Sequence, residues 1–71
     1  MVVEKLLKPM IAGTSPRPID YLPGEFVDQA DAIEAIERFI ERYHHSGFNP
    51  EENWWWCRNI DDTELTILII R

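Results

Sequence analysis

Four groups of side chains in this 71-residue sequence could do chemistry. His44 and His45 come first. Adjacent residues on a helix point about 100° apart, so this pair cannot close on one ion as histidines four residues apart can. Glu41 and His45 do have the four-residue spacing and would make a weak surface metal pair. The plainer reading puts both histidines at a helix C-terminus, where the helix dipole favours cations. Cys57 comes second. A nucleophilic thiol needs a base, and the fold could bring either histidine to it. No cysteine-enzyme signature surrounds it, and a lone cysteine in a small domain usually packs as an apolar residue.

The third group is the run Trp54-Trp55-Trp56. Indoles stack on bases, on sugars or on an apolar partner surface. Base stacking goes with basic neighbours, but Glu51 and Glu52 precede the run and only Arg58 follows. Trp is enriched where interfaces gain most of their energy, so all three are interface candidates. The fourth group is a row of acids, Asp31, Glu34, Glu37 and Glu41. Its simplest role is a solvated helix face with a Glu34–Arg38 ion pair. The sharper reading is an acidic decoy, of the kind small phage inhibitors use, that occupies the nucleic-acid site of a basic protein.

No phosphate-binding glycine loop, paired zinc-ligand motif or serine elbow occurs. So few residues cannot build a pocket, a supporting shell and a core together. The expectation is a non-enzyme with no catalytic residue, no cofactor and no metal.

The elements that must position these groups follow from periodicity. Ile33, Ile36, Ile40 and Tyr43 recur at helical spacing, widened by Ala32, Ala35 and Phe39. Asp28 is a good N-cap and Gly47 a good stop, which predicts a helix over 28–46. Phe26 and Val27 precede the cap and could staple the first turn. Residues 1–25 carry Pro9, Pro16, Pro18 and Pro23 and read as an extended or loop-rich segment, with a short strand at Ile19–Leu22.

Residues 53–71 read as a hairpin around Asn59-Ile60-Asp61-Asp62. A four-residue loop pairs Arg58 with Thr63. It sets Trp54 and Trp56 with Leu65, Ile67 and Ile69 on one face, and Trp55 with Leu68 and Ile70 on the other; a three-residue loop would exchange the tryptophans, and either register puts tryptophan on both faces. The fold class is then α+β: one domain over 1–71, in which one amphipathic helix packs on a small antiparallel sheet with a C-terminal hairpin.

Composition bounds the partners. The net charge of −6 argues against nucleic acid. A single cysteine forbids an internal disulfide. No apolar run reaches a membrane span, and the N-terminus does not read as a signal peptide, so a cytoplasmic location is expected. Because the hairpin ends apolar on both faces, one helix leaves a face bare, expected to be the one that carries Trp55, Leu68 and Ile70. The sequence assigns Trp54, Trp55, Trp56, Leu68 and Ile70 to a homodimer interface on that hairpin. The leading function is a small interaction protein that self-associates there. The alternative is an acidic inhibitor or adaptor, phage-type or regulatory, that binds a basic partner through Asp31, Glu34, Glu37 and Glu41.

Overall fold

The computed structural model describes residues 1–71. In chain order the elements are β1 (Val3–Pro9), β2 (Arg17–Tyr21), α1 (Gln29–Ile40), β3 (His45–Asn49), β4 (Trp54–Arg58) and β5 (Glu64–Ile70). The strands form one antiparallel sheet in the order β2-β1-β5-β4-β3, and α1 packs on one face. This is the α+β architecture expected, with the C-terminal hairpin formed by β4 and β5.

The loop-rich N-terminal segment contributes two of the five strands. Its prolines sit where a sheet tolerates them. Pro9 ends β1, and Pro18 lies in the edge strand β2. The central strand β5 and its neighbour β1 come from opposite ends of the chain: Val3 pairs with Ile70 and Pro9 with Glu64. Main-chain bonds between Val2 and Arg71, 3.2 and 2.8 Å, continue that ladder.

Helix α1 begins as its sequence dictates. The Asp28 carboxylate accepts from the Asp31 amide at 3.0 Å. Ala32, Ile36 and Ile40 are buried, and Asp31, Glu34, Glu37 and Glu41 are exposed. Phe26 packs against the core, but Val27 is 91% exposed, so only half of the expected staple forms.

The helix stops at Ile40, with Glu41 as its C-cap, and does not reach residue 46. Residues 45–49 instead form β3, paired with β4. Local signals favour a helix end here, and the strand pairing outweighs them. Gly47 does not stop the helix; it lies in mid-strand beneath the indole of Trp56. A Cβ at Gly47 would sit 3.0 Å from that ring, so only glycine lets the indole lie on the strand.

The hairpin register also differs from expectation. Cys57 pairs with Thr66 rather than Glu64. A shift of two residues keeps every side chain on its expected face. Helix α1 covers the face carrying Val3, Trp55, Cys57, Leu68 and Ile70. Val3, Ile36, Cys57 and Leu68 are fully buried there. The patch expected to be bare, Trp55 with Leu68 and Ile70, is therefore the covered one. Alternation alone cannot tell which side a helix takes. Small side chains under α1, Cys57 and Thr66, leave it room, whereas Trp56 fills its own side by lying on Gly47.

Candidate interaction surface

The histidines and the cysteine are held apart by the fold. The main-chain N–H of His44 donates to Asn59 Oδ1 at 3.2 Å, and its Nδ1 accepts from the Ile60 amide at 2.9 Å. His44 is thus a clip on the β4–β5 loop, and accepting that bond requires Nδ1 to carry no proton. His45 is an exposed residue of edge strand β3, opposite Arg58. No three His, Cys, Asp or Glu side chains converge on a point that could hold a metal ion.

Cys57 lies on the covered face with no exposure. Burial pushes its thiol up to about 12, with Asp62 adding to the rise and Thr66 and Lys5 opposing it. Burial and a raised pKa both disfavour the thiolate, the form in which a cysteine attacks. Burial also raises Tyr43, helped by Cys57 and Asp62 and opposed by Thr66 and Arg42.

The other face of the sheet has no helix over it. Its residues can be placed row by row from the pairing. Leu6, Ile67, Trp56 and Gly47 form a row across β1, β5, β4 and β3. On one side of it lie Glu4 opposite Ile69 and Trp54 opposite Asn49. On the other side lie Lys8 opposite Leu65 and Arg58 opposite His45. The middle of this face is apolar, with charge at its margins. Arg71 pairs with Glu4 at 3.0 Å, and Arg58 reaches the Met10 sulfur at 3.2 Å.

A groove of about 350 Å³ runs across this face, lined by Lys8, Asn49, Trp54, Trp56, Leu65 and Ile67. Trp54, Trp56 and Leu65 are half-buried, while neighbouring side chains shield Ile67 almost completely. The sequence singled out the tryptophans. It placed Leu65 on their face without naming it an interface candidate, and it missed Lys8 and Asn49, which reach the groove only through strand pairing. Of the five interface candidates, Trp54 and Trp56 lie here, and Trp55, Leu68 and Ile70 lie beneath α1.

A second, larger groove of about 500 Å³ lies on the outer side of α1. Leu22, Phe26, Ala35 and Phe39 line it along with Glu25, Asp31 and Glu34. Glu34 is partly neutralised by Arg38 at 2.7 Å, and both side chains are solvated, so this pair contributes little to stability. Glu37 and Glu41 are exposed but do not line the groove.

No helix is long and apolar enough to cross a membrane. Comparison with protein-family models, curated proteins and solved structures finds no match.

Proposed function

We propose that this chain is a small non-enzymatic interaction protein that self-associates through the open face of its sheet. The observation that carries this reading is the layering: five strands, one helix, and an apolar second face with nothing over it. Trp54, Trp56, Leu65 and Ile69, the half-buried residues of that face, form the centre of the contact, and Lys8, Arg58 and the Glu4–Arg71 pair form its rim. Interfaces share this plan of an apolar, aromatic centre inside a polar margin.

The need for a partner does not come from a failure to fold compactly. The chain exposes 4749 Å², close to the roughly 4600 Å² expected for a folded monomer of its mass. It rests on the make-up of that face, where half-buried Trp54, Trp56, Leu65 and Ile69 lie on adjacent strands with no helix over them. A two-fold axis parallel to the sheet and just outside its open face lays that face on its own copy, and a homodimer is the simplest result.

Light scattering across a dilution series tests this. The expected mass exceeds one chain at high concentration and falls on dilution, and Trp54→Asp weakens that association while far-UV circular dichroism stays native. A single-chain mass at every concentration would sink the reading.

A second reading is an acidic inhibitor or adaptor for a basic partner. The exposed row Asp31, Glu34, Glu37 and Glu41 on α1, of which Asp31 and Glu34 line the larger groove, favours it. Its mark is affinity for a basic protein that falls steeply with salt, unaffected by Trp54→Asp.

A further inference from the structure

The two outer strands of the sheet differ in how they meet solvent. An outer strand presents main-chain groups that can template another chain, and proteins usually guard them. Strand β2 is guarded several times over. Pro18 has no N–H to offer. The pairing slips between Lys5 and Leu6, so β2 is bulged opposite that point. The Tyr21 amide donates to the Asp20 carboxylate at 2.8 Å.

Strand β3 has none of these devices. It runs in regular register from His45 to Asn49 without proline or bulge. Beyond its ladder with β4, the main chain of Ser46, Gly47 and Phe48 has no hydrogen-bond partner. The main contacts of α1 are with β4 and β5, which leaves this side of the sheet clear. Phe48 stacks on Trp55 with ring centroids 4.7 Å apart, yet 45% of it remains exposed.

We infer that β3 is a strand-pairing site, and that its occupant is β3 of a second copy, antiparallel, about a dyad at Gly47. The segment is self-complementary in that arrangement. Gly47 meets Gly47 at the axis, Ser46 meets Phe48, and His45 meets Asn49, so no like-signed acids or bases oppose one another. A dyad normal to the sheet keeps each face on its own side. Phe48 then closes over the small Ser46 of the other copy. The two Trp56 indoles, each lying on a glycine, adjoin across the join, and two five-stranded sheets become one of ten strands. Any bulky residue at position 47 would lift both indoles from the strand.

This extends the self-association proposed above, with a contact that uses different residues. The test reads amide hydrogen exchange at the alternate amides of 45–49 that point away from β4, in the full chain over a dilution series, alongside mass. Exchange there should slow by about tenfold or more on concentration. The protection should survive Trp54→Asp, which removes only the face contact and holds the chain at two copies. It should vanish in Ser46→Lys, which places a charge on the pairing strand. Fast exchange at these amides at every concentration overturns the inference, even where the mass shows face association. Protection that appears only with an added extended peptide, never with concentration, also overturns it. Should Ser46→Lys fail to fold by circular dichroism, the exchange of the unsubstituted chain decides.

Discussion

Both faces of the sheet are apolar, and they differ in what an apolar residue achieves there. On the face beneath α1, Val3, Cys57 and Leu68 are fully buried by tertiary packing against Ile36 and Ile40. On the open face, Leu6 and Ile67 are shielded by their sheet neighbours alone, while Trp54, Trp56, Leu65 and Ile69 remain half-buried. The first face holds the fold together. The second leaves apolar area available to another molecule. Strand alternation can therefore predict two apolar surfaces without saying which is core and which is contact.

The sharpest way to break this comparison is to put one charge on each face. Leu68→Asp buries an unpaired carboxylate beneath the helix and should abolish cooperative folding. Leu65→Asp should leave the fold cooperative in urea and lower only the assembled fraction. Equal damage from both would mean that the open face is as much core as the covered one. The same contrast holds across α1 at smaller cost. Ile36→Ala should cost roughly 2–5 kcal/mol in urea melts, through lost burial and the cavity left behind. Glu37→Ala, on the exposed side, should stay within about 0.5 kcal/mol.

The last contrast belongs to the covered face alone and appears only with alkali. An unfolded chain releases the Cys57 proton near the ordinary value of 9.0, but the fold holds it up to about 12. Between these values the folded state binds the extra proton, so stability is intact below this window and falls as pH rises through it. The slope is at most about 1.4 kcal/mol per pH unit. Tyr43 is also raised by burial and acts in the same direction. Urea midpoints from pH 8 upward should therefore fall, and Cys57→Ala should flatten the part due to the thiol. A profile unchanged by that substitution would show that solvent reaches the sulfur.

What was legible in the sequence was local or periodic. The Asp28 cap and the Ile36–Ile40 stripe specify α1 within one segment. The alternation of residues 54–56 and 63–70 fixes which side chains share a face, and it survived a register shift of two because the period is two. Strand β3 was not legible. Arg42, His44, His45 and Gly47 spell a helix terminus locally, and only pairing with β4 makes them a strand. The covered face was not legible either, since both sides of β5 read alike. Of the candidate surface, the tryptophans stood out by type. Lys8 lies far from them in sequence and joins them only once β1, β5 and β4 lie side by side, while Asn49 comes opposite Trp54 through the β3–β4 turn. The unguarded outer strand was invisible for the same reason.

The union of β1 with β5 at the middle of the sheet has a consequence for the order of folding. Its ladder joins residues as far apart as Val3 and Ile70. Without β5, the β1–β2 and β3–β4 hairpins are two separate pieces, and α1 has lost the strand that joins its floor. Closing so long a loop costs entropy before any long-range contact repays it. Folding should then be slow for a domain of this size, in the millisecond-to-second range typical of non-local topologies. A ribosome-bound chain would hold no stable sheet until residues 64–70 had cleared the exit tunnel.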